Sequence, residues 1–192
     1  MGEEGAARRS EGLAEGYTAE GVRREVECGV RSIEHGNLID APTAALMAER
    51  GAFAVPTLIT YEALARDGAR LGLGAESVAK IEQVRAAGLK SLEILKTAGV
   101  RMAYGTDLLG ASHELQSEEF LIRAQVQSNL EVLQSATLIG AELLNQVGVI
   151  GEIAAGARAD LLLVDGNPLA DLACLTGQGE RIPLVMQGGK LR

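Results

Sequence analysis

Two residues stand where this chain could do chemistry. His35 closes the run Val30-Arg31-Ser32-Ile33-Glu34 and is followed by Gly36-Asn37, while Asp107 closes Val100-Arg101-Met102-Ala103-Tyr104-Gly105-Thr106. Reactive groups of barrel-type α/β proteins gather at the carboxyl ends of parallel strands, so this pair could share a site. A neutral imidazole at His35 can ligate a metal, orient a substrate or carry a proton; it can equally be a hydrogen-bonded strand-end histidine. A carboxylate at Asp107 can bind a metal or take the proton of metal-bound water, and it can equally cap a helix or a turn. His113, in Gly-Ala-Ser-His-Glu just beyond, stands at a helix start that Ser112 can cap, and reads as readily as a merely exposed residue. Glu118-Glu119 read as a solvated helix face. Cys28 and Cys174 read as buried free thiols, with nothing near Cys28 to activate it. There is no nucleophile elbow, phosphate loop, dinucleotide fingerprint or Cys-x-x-Cys pair, so spacing names a candidate site and no reaction.

The elements that must position these residues follow from caps and periodicity. Thr18 predicts the N-cap of a short helix that stops at Gly29, and Val30 to His35 reads as a strand. Asp40 caps the next helix, with Pro42 in its first turn and Gly51 past its end. Ala52 to Leu58 is a second strand, with Pro56 near its end because an interior proline would break the ladder. From Ala75 to Ala98, Val78, Ile81, Val84, Leu89, Leu92 and Leu95 recur at helical steps, and Gly99 ends the helix. Val100 to Thr106 is a third strand, and two more helices fit Leu115–Ser128 and Leu130–Leu144. Alternating strands and helices argue for a parallel sheet with right-handed crossovers, here only part of a closed barrel.

After Gly148 the segments 151–153, 159–165 and 182–190 are β-like, and Gly188-Gly189 is a hairpin signal. The expected organisation is therefore a disordered or degraded strand region over 1–16, a partial (β/α) barrel over 17–147 and a separate small β-module over 148–192.

Composition narrows the function classes. A net charge of -8 disfavours a phosphate-binding surface, and 3% aromatic residues with no Trp leave no stacking platform for single strands, so nucleic acid is not an expected partner. No apolar run is long enough to span a bilayer and the first ten residues lack an apolar core segment, so membrane partners are not expected and the cytoplasm is the expected location.

Arg31-Ser32-Ile33-Glu34-His35-Gly36, then Gly105-Thr106-Asp107, then Gly156-Ala157-Arg158-Ala159-Asp160-Leu161 resemble, in order and separation, the late part of the amidohydrolase superfamily, nearest its imidazolonepropionase-like and Xaa-Pro-dipeptidase-like branch. The resemblance runs from about Tyr17 to the end of the chain. It implies an α/β fold: the C-terminal part of a TIM-like metallo-dependent hydrolase barrel plus a segment of a small β-sandwich. It implies hydrolysis of amide or peptide C–N bonds, dipeptidase-like, with one or two divalent metals, zinc first. By resemblance His35 is a metal or substrate ligand, Asp107 a metal ligand and proton shuttle, and His113 and Tyr61 substrate contacts. The family's first-strand His-x-His pair has no counterpart here, since the chain has two histidines, far apart. Its fourth-strand lysine is also missing, and Glu15 stands at the place of its fifth-strand histidine. These departures imply a truncated form, inactive alone, whose partners are a dipeptide-like small substrate and either further copies of itself or a missing N-terminal half. The alternatives are a non-catalytic interaction module and one half of a split enzyme.

Overall fold

A computed structural model describes residues 12–68 and 72–192. Strand β1 (Leu13–Thr18) leads into helix α1 (Ala19–Glu27), followed by β2 (Ser32–Leu38), α2 (Ala41–Arg50) and β3 (Phe53–Val55). Then come α3 (Leu58–Asp67), α4 (Ala75–Thr97) and β4 (Arg101–Met102). The strands form one parallel sheet in the order β1-β2-β3-β4, which is the layout the alternation predicts.

The caps act where the sequence places them. Thr18 Oγ1 accepts from Gly21 N at 3.2 Å and Asp40 Oδ1 from Thr43 N at 2.9 Å, while Gly51 closes α2 at φ 67°. Register sorts the sheet's two faces. Ala14, Ile33, Ala54 and Met102 lie in one row, all buried against Val22 and Val26 of α1, Met47 of α2 and Leu92 and Leu95 of α4. The opposite face carries Leu13, Ser32, Phe53 and Arg101 in one row and Glu15, Glu34 and Val55 in the next. There the guanidiniums of Arg31 and Arg101 lie 5.2 and 4.2 Å from the Phe53 ring centroid.

Several expectations are corrected. Leu13 to Gly16 belong to a strand, not to a disordered or degraded region, because pairing along β2 satisfies a backbone whose side chains carry little apolar signal; residues 1–11 lie outside the described ones. The second strand ends at Val55, and Leu58 starts a ten-residue helix that the apolar run hides. The third is only Arg101–Met102.

The expected helix 115–128 is a 3₁₀ turn, Gly110–Glu118, followed by the short α5 (Glu119–Arg123). The next is split at Thr137, φ -125° and ψ -90°, into α6 (Asn129–Ala136) and α7 (Leu138–Leu143). Ser128 and Glu131 form a full capping box at the start of α6, which ends the preceding turn there. Cys28 is exposed at the α1 C-cap, contrary to expectation, whereas Cys174 is buried.

After Gly148, β5 (Leu161–Leu163), β6 (Leu184–Gln187) and β7 (Lys190–Leu191) form a separate antiparallel sheet, and Gly188-Gly189 make its hairpin. Segment 151–153 is not a strand. Among the described residues no helix is long and apolar enough to cross a membrane.

Candidate functional site

The carboxyl ends of β1 and β2, with the segments following β3 and β4, carry Tyr17, His35, Thr57 and Asp107. Three of them hold backbone conformations that side chains rarely adopt: His35 at φ 74°, Thr57 at 47° and Asp107 at 51°. Left-handed backbone at a non-glycine residue costs about 1–3 kcal/mol and survives where surroundings enforce it, which is common at binding sites. For β-branched Thr57 the cost is greatest in kind. His35, expected to close its strand, pairs with Gly16 inside β2, which runs on to Leu38, and the pairing of β1 with β2 shifts register between Gly16 and Thr18 before resuming at Thr18 and Leu38. The local break frees the ring from strict alternation.

The imidazole is buried and held on three sides. Its Nδ1 lies 2.8 Å from Thr57 Oγ1, Tyr17 stacks on it with centroids 4.8 Å apart at 15°, and Tyr61 meets it edge-on at 6.0 Å. Burial pushes the imidazole pKa below its ordinary 6.5, and the carboxylates of Asp107 and Glu15 pull the other way. The ring is therefore mainly neutral at pH 7, with Nε2 as its second nitrogen.

Glu34, beside Glu15 on the sheet's open face, is raised by burial, with Ser32 Oγ donating to it at 2.8 Å and Glu15 and Asp107 adding repulsion. Burial, then the Tyr17 hydroxyl, holds the Tyr61 phenol far above its ordinary 10, and that hydroxyl makes no aligned hydrogen bond. A cleft of about 470 Å³, lined among others by Leu13, Ser32, Glu34, Val55, Tyr104 and Leu144, opens on the same face.

Two buried ionisable side chains fix the frame. Glu119 Oε2 accepts from Ile59 N at 2.7 Å, at the first turn of α3, where Thr57 provides no side-chain cap. A carboxyl oxygen there satisfies an orphan donor at the start of the helix. One turn on, Arg123 Nη1 donates to Ala103 O at 2.9 Å and Nε to Gln127 Oε1 at 2.9 Å. Thus α5 ties the start of α3, next to Thr57, to Ala103 just past β4, on the segment that leads to Asp107. Thr60 Oγ1 closes the link by donating to Asp107 O at 3.0 Å. Glu119, expected on a solvated face, is fully buried, because a five-residue helix wedged between α3 and β4 has little outer surface.

Of the expected site residues, the structure brings His35 and Tyr61 into ring contact and sets Asp107 close enough to act on His35. His113 is exposed on the 3₁₀ turn and makes no contact with them among the described residues. Sequence reading missed Tyr17, Glu34, Thr57 and Arg123. Only the Ser32/Glu34 alternation held a signal. As to a metal, a catalytic zinc takes three protein ligands, and among the described residues no group of three or more His, Cys, Asp or Glu side chains could hold an ion. The donors among the described residues do not complete such a centre.

The sequence matches the amidohydrolase family over residues 14–191. The curated relative ochratoxinase from Aspergillus niger is 29% identical over 173 residues, 89% of this chain and 35% of the relative. Among solved structures, an amidohydrolase is 55% identical with a TM-score of 0.96, covering 99% of this chain and 46% of that one. A prolidase complexed with N-methylphosphonate-L-proline is 51% identical with a TM-score of 0.96, covering 99% and 47%. A Xaa-Pro dipeptidase with methionine bound in its active site is 30% identical with a TM-score of 0.89, covering 99% and 46%. The chain spans about half of these structures' length and about a third of the ochratoxinase.

Proposed function

Because the chain belongs to the amidohydrolase family, we propose that it carries part of the active site of a cytoplasmic, dipeptidase-like hydrolase of C–N bonds. The observation that supports this reading is the approach of His35, inside β2, and Asp107, in the segment after β4, on the carboxyl side of one parallel sheet, both in left-handed backbone. Hydrolysis adds water across the bond: its oxygen joins the carbonyl carbon, one proton passes to the leaving nitrogen, and the C–N bond breaks. Asp107, exposed in the segment that follows β4, is suited to take that proton and hand it on. His35, neutral and fixed through Nδ1, presents Nε2 to orient the carbonyl, and Tyr61 with Tyr17 excludes water around it.

The reading includes a divalent metal, zinc first. Ligands beyond His35 and Asp107 would come from a complementary segment, so the chain alone would not turn over substrate. His113 is retained as a substrate contact only if such a segment reaches the exposed turn that bears it.

The test is hydrolysis of Xaa-Pro dipeptides by the chain alone and by the chain refolded with the complementary half of the 55%-identical relative. Turnover by the pair only, lost in Asp107→Asn, supports the reading. Chelator-sensitive turnover by the lone chain would overturn the inactivity, and no turnover by a folded pair would overturn the function.

A second reading, a self-pairing module, draws on Leu13, which is 60% exposed on edge strand β1. A defined oligomer that buries Leu13 favours it, and a cooperatively melting monomer rules it out.

A further inference from the structure

Helices α1, α2 and α6 cap themselves. Thr18 accepts from Gly21 N at 3.2 Å, Asp40 from Thr43 N at 2.9 Å and Ser128 from Glu131 N at 3.3 Å, each from the extended backbone usual at an N-cap. Helix α3 is built differently. Its N-cap, Thr57, also carries a hydroxyl, yet it stands in left-handed backbone at φ 47° and ψ 46° and makes no side-chain cap bond. That hydroxyl is turned to His35 Nδ1 instead, at 2.8 Å. The donor it leaves behind is Ile59 N, at the second helical position, where a capping side chain ordinarily reaches. Ile59 is buried, and Glu119 Oε2 takes its N–H at 2.7 Å from 60 positions along the chain.

We propose that Glu119 is a positioning residue for His35: by capping α3 in place of Thr57, it leaves the Thr57 hydroxyl to hold the imidazole through Nδ1. If the carboxyl oxygen is withdrawn, Ile59 N–H becomes a buried donor without a partner, which is costly. The acceptor at hand is Thr57 Oγ1, once its backbone relaxes from the strained left-handed region to the extended one. His35 then loses its Nδ1 partner. The same first turn carries Thr60, whose hydroxyl donates to Asp107 O at 3.0 Å, so the cap steadies both residues. That His35 meets a substrate rests on the hydrolase reading; the exchange of caps does not, and its test needs no turnover.

The experiment is proton–nitrogen NMR correlation of the imidazoles in the full chain at about pH 8, above the range in which His35 titrates. The chain has two histidines, so exposed His113 supplies an internal reference. Thr57→Val removes the hydroxyl outright and sets the endpoint. Glu119→Asp keeps the charge and shortens the reach, and the His35 nitrogens should move most of the way to the Thr57→Val positions while those of His113 stay. Glu119→Gln keeps the reach and drops the charge, and should hold the parent positions. Glu119→Leu, with no acceptor, should behave as Glu119→Asp does and covers the case in which that variant fails to fold. Parent positions in a folded Glu119→Asp or Glu119→Leu would overturn the inference and leave Glu119 a structural support only. Displaced nitrogens in Glu119→Gln would also overturn it, since charge and not reach would then act on His35. Failure of the hydrolase reading would leave these outcomes unchanged.

Discussion

Replacing Glu119 by Gln tests the frame of the site most directly. The carboxylate is fully buried, accepts from Ile59 N at 2.7 Å, and shares its enclosure with the buried Arg123. Burial pushes its pKa from the ordinary 4.5 to about 7, against the pull of Arg123 and of the backbone N–H groups of Ile59 and Leu58. Between these two values the native state holds a proton that the unfolded chain has released. Stability contributed by this protonation is therefore complete below pH 4.5 and is lost as pH rises through about 7. At about 1.4 kcal/mol per unit, the loss is roughly 3 kcal/mol over that window. Glutamine keeps an oxygen for Ile59 N but cannot titrate. Urea unfolding of both proteins from pH 4.5 to 8 should show the variant gaining on the parent by roughly 3 kcal/mol across the range. His35 and Glu34 titrate in both proteins and cancel in the difference. Parallel curves would mean that Glu119 stays ionised as the ionic cap of α3, and the burial argument would be refuted.

Three further outcomes follow from the same contacts. Thr57→Val removes the hydroxyl at 2.8 Å from His35 Nδ1 and should cost about 1–2 kcal/mol, while His35 still titrates below 6.5 by NMR because burial is the leading cause of its shift; a rise above 6.5 would contradict that cause. Gly105→Ala places a Cβ 2.4 Å from Val55 Cγ1, between β3 and the approach to Asp107, and should lower stability by about 1–3 kcal/mol on thermal melting; an unchanged melt would show that β3 yields there at no cost. A thiol-reactive disulfide reagent should label exposed Cys28 at once and buried Cys174 only on unfolding, as mass spectrometry of the native and denatured protein would reveal; rapid native labelling of Cys174 would contradict its burial.

Much of the fold is written locally. Thr18, Asp40, Pro42, Gly51 and Gly99 punctuate helices by hydrogen bonds and backbone freedom that act within a few residues, and the structure keeps them. The sequence by itself also put His35 and Asp107 on the carboxyl side of a parallel sheet, although not at strand ends as expected: β2 runs on past His35 to Leu38, and β4 stops at Met102, five residues before Asp107. The tertiary structure alone decided what no local pattern carries. Leu13 to Gly16 form a strand only because the Ser32–Leu38 backbone offers them a ladder. Glu119 and Arg123 are buried only because α5 is wedged against α3 and β4; in sequence they are charges at ordinary helical spacing. Thr57 supports His35 from 22 positions away, in a backbone conformation its side chain disfavours, which only surrounding contacts can enforce.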